Sequence, residues 1–254
     1  MTVLHLADAG EAADLGAFLA RLVHYDRAAA VRLQAHGTTL AVFGRPPSFE
    51  VLAIRTARLA KPYEHGLDMR LDATVSAGEL LESVDESAAT VAVPGAVTGP
   101  PWAGVLPPRG GWRPEPGLPA LDAVRGVVAG VVAEFRSRTQ ELEPERRTRA
   151  ELDRIGREIW SRPVGDSVLP VRAAHAAQSL GFLRPSPARG PAAPGDAGVP
   201  RSTGPDRPDE RRLDPAGEGE LGLYSSGAWL RLRTPFGSIA VRRAGRGALD
   251  VSVR

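Results

Sequence analysis

Histidines and paired carboxylates are the side chains through which this chain of 254 residues, which has no cysteine, would do acid–base or metal chemistry. The histidines are His5, His24, His36, His65 and His175, and none pairs with another at metal-ligand spacing. Asp68 and Asp72 flank Arg70 on an alternating stretch, but four residues of strand hold two carboxylates about 13 Å apart, too far for a catalytic pair. The missing cysteines remove thiol catalysis, disulfides and zinc sites built on Cys. There is no G-x-x-x-x-G-K-[ST] loop, no G-x-S-x-G elbow and no H-E-x-x-H helix. Gly217-Glu218-Gly219 and Gly245-Arg246-Gly247 are isolated glycine pairs in a linker and a turn. The sequence assigns no catalytic residue, no metal ligand and no cofactor, and the expectation is a non-enzymatic binding or regulatory protein.

Two other sets of side chains stand out. Trp102, Trp112, Trp160 and Trp229 are candidate partner-binding residues, because tryptophan is enriched at interface hot spots. Trp102 and Trp112 lie in a Pro- and Gly-dense stretch from Pro94 to Leu118, where the rings either pin the loop onto the domain or meet a partner. The second set is basic. Residues 1–118 carry 10 basic and 13 acidic residues, whereas residues 220–254 carry 6 and 2. Arg231 and Arg233 alternate on one strand, while Arg242, Arg243 and Arg246 cluster near the next turn. Strands pairing across Pro235-Phe236 would bring several guanidinium groups to one face, a surface for phosphate and hence nucleic acid. The arginine excess by itself argues little. Lys61 is the only lysine among 32 basic residues, a mark of GC-rich coding. A third possibility is a small-molecule site or enzyme pocket under the tryptophan loop, with His24, Asp26 or His65 as polar groups. At a helix end, His24 also suits the helix dipole.

The elements that must hold these residues follow from periodicity. Leu15, Phe18, Leu19, Leu22 and Val23 fall on one stripe and predict a helix from Glu11 to His24, capped near Asp8 or Gly10. Strands follow at Ala29–Gln34, Thr38–Phe43 and Phe49–Thr56, the last with one buried side, and then at Leu67–Val75 and Thr90–Val93. Ser76-Ala77-Gly78-Glu79 matches a capping box. Leu121, Val124, Val128, Val131 and Phe135 form an a/d stripe, with Gly126 and Gly130 set for close backbone packing or a homodimer through residues 121–135. Further helices are expected over Pro144–Ser161 and Pro170–Leu180, the latter capped by Asp166 or Ser167 and ended by Gly181. These two helices followed by a basic hairpin resemble a winged helix-turn-helix in outline. Residues 184–219, with 8 prolines and 6 glycines, read as a flexible, disordered tether. Gly222–Tyr224, Trp229–Arg233, Ser238–Arg242 and Ala248–Val253 read as an antiparallel meander, too small to stand alone and so docked on an earlier part of the chain.

The segments Pro101-Trp102-Ala103-Gly104-Val105-Leu106-Pro107-Pro108-Arg109-Gly110-Gly111-Trp112 and Arg172-Ala173-Ala174-His175-Ala176-Ala177-Gln178-Ser179-Leu180-Gly181-Phe182-Leu183 resemble parts of uncharacterised actinobacterial proteins, which implies a bacterial origin and no known activity. The fold class expected is α+β: an antiparallel sheet with flanking helices (1–117), a helical middle segment (118–183), the tether (184–219) and the basic meander (220–254). The partner expected is a protein met through the tryptophans, with nucleic acid on the arginines as the rival reading. No apolar run approaches the roughly 18 residues of a membrane span, and Met1-Thr2-Val3-Leu4-His5 lacks the basic start of a signal peptide. The expected setting is therefore the cytoplasm, with no membrane partner.

Overall fold

Asp8 begins the first helix because its carboxylate accepts the Glu11 N–H at 2.9 Å, filling one of the orphan donors of a helix start. In a computed structural model, which describes residues 2–60, 71–185 and 221–243, β1 (Thr2–His5) leads into α1 (Ala9–Tyr25). The helix buries Leu15, Phe18, Leu19 and Leu22 of the expected stripe, together with Ala12 and Gly16, while Val23 is only partly buried. A meander follows: β2 (Ala30–His36), β3 (Thr39–Gly44), β4 (Leu52–Arg58) and β5 (Asp72–Ser76). The tight turn between β2 and β3 takes a left-handed residue, supplied by Gly37 at φ 54°. Ser76 caps α2 (Ala77–Glu82) by accepting the Glu79 N–H, as the capping box predicts. The short strands β6 (Val84–Asp85) and β7 (Thr90–Val93) join β1 in a separate sheet of order β1-β7-β6.

The remaining elements are β8 (Arg113–Pro114), α3 (Leu121–Gln140), α4 (Arg149–Trp160), α5 (Val171–Ser179), β9 (Gly222–Ser226), β10 (Trp229–Thr234) and β11 (Gly237–Arg242). The large sheet has eight strands in the order β5-β2-β3-β4-β11-β10-β9-β8, with every neighbouring pair antiparallel. Its seam is β4 against β11, where Ile54 faces Ser238 and Leu52 faces Ala240. The C-terminal strands thus continue the first meander, and the fold is α+β. Val31, Leu33, Val42, Ala53, Leu230, Leu232, Ile239 and Val241 point to one side and are buried in the main core with residues of α1, α3 and α5. There α1 packs on β4 and α5 on β11.

Several expectations need correction. In β4, Leu52, Ala53, Ile54 and Arg55 are all buried, not just one side, because this central strand is covered on both faces. The helix expected from Pro144 starts at Arg149 behind a short 3-10 turn, since Thr148 supplies the cap to Glu151 N–H. Neither Asp166 nor Ser167 caps α5. Pro170 precedes it, and the Ser167 hydroxyl instead donates to Val164 O at 2.6 Å and accepts from Leu169 N–H. Ala173, Ala174, Ala176 and Ala177 are wholly buried, so α5 is a core helix and cannot enter a DNA groove as a winged-helix reading requires. Val124 and Val128 pack inside the chain, where α3 contacts α4 and α5, while Gly126 and Gly130 have no atom of the described residues near their open side. Gly181 does end α5, at φ 75°. The early part of the strand predicted at Leu67–Val75, the tether and the strand predicted at Ala248–Val253 lie outside the described residues, apart from the tether's Arg184 and Pro185.

Candidate binding face

The second side of the sheet gathers most of the singled-out residues. Side chains alternate along a strand, so register decides which ones share a face. One row crosses the sheet as Thr74, Arg32, Phe43, Ile54, Ser238 and Arg233. The next rows place Leu52, Ala240, Arg231 and Tyr224 side by side, then Arg242, Trp229 and Ser226. Residues 94–112 run over this outer face as a strap. Val97 N–H donates to Thr74 O at 2.8 Å, and the Arg32 guanidinium donates to Ala103 O. Trp102 and Leu106 pack on a small apolar cluster of Phe43, Leu52, Ile54 and Ala240. Farther on, Ser226 Oγ donates to Gly110 O at 3.2 Å, and the strap becomes the edge strand β8. Both loop tryptophans therefore hold the strap down: Trp102 by apolar contact, and Trp112 by lying against a guanidinium of the sheet.

That guanidinium belongs to Arg231, 5.7 Å from the centroid of the Trp112 ring. Its Nε and Nη2 both donate to the buried Ser238 hydroxyl, at 3.0 and 2.9 Å. Burial, reinforced by the adjacent Arg233 charge, pushes the Arg231 pKa down. Arg242 repeats the motif, 5.2 Å above the Trp229 ring. Among the described residues, none of Arg231, Arg233 and Arg242 is within ion-pair distance of a carboxylate. Acids elsewhere on the same sheet are already engaged. Asp72 is held by both arms of Arg32 at 2.7 and 2.9 Å, which lowers its pKa, and Glu115 is paired with Arg243. Arg243 lies just beyond the end of β11 and is taken up by Glu115, so it leaves the group proposed from sequence. Arg246 and His65 lie outside the described residues.

A family model described as a domain of unknown function (DUF8185) matches residues 107–246. The chain belongs to the DUF8185 family. A second model, also described as a domain of unknown function (DUF8010), matches residues 1–104. No curated protein and no solved structure matches the chain. The boundary between the two matches falls within the strap, and the β4–β11 seam joins them in one sheet. Trp112, Trp229, Arg231, Arg233 and Arg242 all come from the DUF8185 segment, whereas Trp102 comes from the other.

Trp160, also in the DUF8185 segment, lies apart on the helical side. It stacks on His175 at 4.8 Å and 15°, and His175 in turn meets Phe49, Phe49 meets Tyr25, and Tyr25 meets His24, at centroid distances of 5.2, 5.8 and 5.6 Å. Burial pushes the His175 pKa down. Phe49 is bracketed by Ser48 at φ 69° and Glu50 at φ 53°, two strained left-handed positions without glycine. Sequence reading singled out Trp160, His24 and His175 separately but missed Tyr25 and Phe49. Four separate segments supply the row, and no local spacing announces it. Asp26 serves its own turn, accepting the Ala28 N–H at 2.9 Å.

One open groove of about 590 Å³ borders α1, lined by Asp8, Glu11, Asp14, Arg58, Arg184 and Phe236. Its charges answer one another. Buried Arg55 donates to Glu11 at 3.2 Å, Asp14 at 3.1 Å and Phe236 O at 3.0 Å, while Arg58 holds Glu11 and Asp8. Among the described residues no group of three His, Asp or Glu is placed to hold a metal ion, and no helix is long and apolar enough to cross a membrane.

Proposed function

We propose that this protein is a non-enzymatic binding protein whose working surface is the outer face of β9–β11, and that the partner it takes there is polyanionic. One observation carries the reading: Arg231, Arg233 and Arg242 share a face with Trp112 and Trp229, with no carboxylate at ion-pair distance among the described residues. A guanidinium held in a partly buried site without a counter-ion is electrostatically incomplete, and an anionic ligand completes it. The test is binding of the full chain to heparin, a generic polyanion, at fixed moderate salt. Arg233→Ala with Arg242→Ala should weaken binding at least tenfold while the circular dichroism spectrum stays unchanged. Equal affinity of wild type and double variant would reject the assignment.

A second reading, a protein docking on the Tyr25–Phe49–His175–Trp160 row, is favoured by the strain at Ser48 and Glu50, since backbone strain gathers at functional sites. It predicts a partner that survives nuclease treatment of a lysate and is lost with Tyr25→Ala. Retention by that variant would reject it. The nearly lysine-free basic composition supports placing the protein in an actinobacterium, where we take it to act in the cytoplasm as a regulatory component.

A further inference from the structure

We infer that the polyanion taken by the β9–β11 face is a single-stranded nucleic acid, a step that rests on the reading of that face as an anion site. The argument begins with flat surfaces. A carboxylate-bearing peptide would use the arginines alone, whereas this face interleaves them with rings. Trp229 and Arg231 alternate on β10, Tyr224 lies opposite Arg231 on β9, and Trp112 closes over Arg231 from the strap. Arg242 is exposed, and Trp112, Trp229, Tyr224 and Arg233 are half-buried, with Trp229 resting one side on the apolar cluster around Ala240, so each keeps part of its surface accessible. Nucleobases stack on indole, phenol and guanidinium planes alike, and every base has such a plane to offer. The sheet also fixes the spacing of the cations. Arg231 and Arg233 stand two residues apart on one strand, about 6.7 Å by rise, comparable with successive phosphates on an extended strand.

The same geometry disfavours a duplex. Reading a duplex groove takes a protruding helix or ribbon. The helix in the winged-helix position, α5, is buried along its alanine face, and the strap covers the outer sheet face over Leu52 and Ala240 and crosses β10 and β9 at Arg231 and Ser226. What is left is a shallow platform with aromatic planes and arginines, suited to unpaired bases laid along β10. No base-edge reader is identifiable on it, so the expected recognition is tolerant of sequence.

The experiment uses the full chain and four probes: a short mixed-sequence RNA, a DNA of the same sequence, the DNA's duplex, and a polyglutamate peptide. Affinity is read by anisotropy of a labelled probe, and stacking by quenching of the protein's tryptophan fluorescence. The inference expects both single strands to bind more tightly than the duplex and to quench the fluorescence. Trp229→Ala should lower single-strand affinity about tenfold. Because that variant removes a half-buried ring, Arg233→Ala is run beside it. It should leave the fold intact and reduce the log–log salt slope by about 0.7 for one lost phosphate contact. Equal binding of duplex and single strand without quenching would overturn the single-strand inference while leaving an anion-binding face. Binding of polyglutamate alone would overturn it in favour of an acidic protein. Failure of every probe, together with failure of heparin, would remove the anion reading itself.

Discussion

Arg231→Met separates a binding residue from a structural one, because the two roles predict opposite signs. The native guanidinium is half-buried under Trp112, with only a serine hydroxyl as acceptor among the described residues. Methionine keeps most of the stem packing and removes a charge that has no counter-ion among the described residues. The losses are the hydrogen bonding to Ser238, about 1.5–3 kcal/mol for a charged donor, and the guanidinium contact with the Trp112 ring, about 0.5–1 kcal/mol. The gain is relief of desolvation, several kcal/mol for a buried ion. The balance favours the variant by about 1 kcal/mol, in line with the neutral-to-stabilising outcome typical when hydrophobic side chains replace buried charges. Urea unfolding should show a higher midpoint with an unchanged m-value. Heparin added at about a hundredfold excess over its Kd should stabilise wild type by about 2.7 kcal/mol, and the variant by clearly less. A variant destabilised by more than 1 kcal/mol, with an undiminished response to heparin, would show that Arg231 is there to hold the strap, and would refute the reasoning.

Four other outcomes follow from the geometry. Arg55→Met removes a buried cation that joins α1, β4 and the Phe236 turn, and should cost about 3 kcal/mol. Arg58→Met, whose side chain is 67% exposed, should cost under about 1 kcal/mol in the same denaturation assay; equal costs would remove burial as the deciding factor. Gly117→Ala should destabilise by more than about 2 kcal/mol, since Gly117 sits at φ 83° and a Cβ there would lie 2.5 Å from Asp166 O; a wild-type melting temperature would contradict this. Trp102→Ala should cost about 2 kcal/mol through lost packing and leave heparin affinity within twofold once the strap is shown to remain folded. For His175, burial lowers the folded pKa below the ordinary 6.5, so the unfolded chain binds the extra proton first. Stability from this site is complete above about pH 6.5 and falls as pH drops below it; a His175→Phe variant with the same acid dependence would assign the effect elsewhere.

Local patterns carried far in this chain. The stripe of α1, the capping box at Ser76 and the turn between β10 and β11 are short-range features, and residue types declare them directly. The alternation of Arg231 and Arg233 is equally local, and the register bears out a shared face for them with Arg242. What lay hidden is non-local. The β4–β11 seam pairs residues far apart in sequence, and no periodicity encodes which strand edge accepts the meander. The two-sided burial of β4 depends on that seam and on the strap. Arg231 meets Trp112 across more than a hundred residues, so the tryptophan and arginine groups looked like rival sites when three arginines and two tryptophans form one surface. The aromatic row around His175 is hidden for the same reason.

The most direct measurement of the central claim is heparin affinity of the full chain as a function of salt. Three arginines engaging a flexible polyanion predict a log–log slope of about −2, reduced by Arg233→Ala and reduced further when Arg242→Ala is added. A flat plot, or a steep one that neither substitution changes, would place any anion binding elsewhere on the molecule and contradict the account.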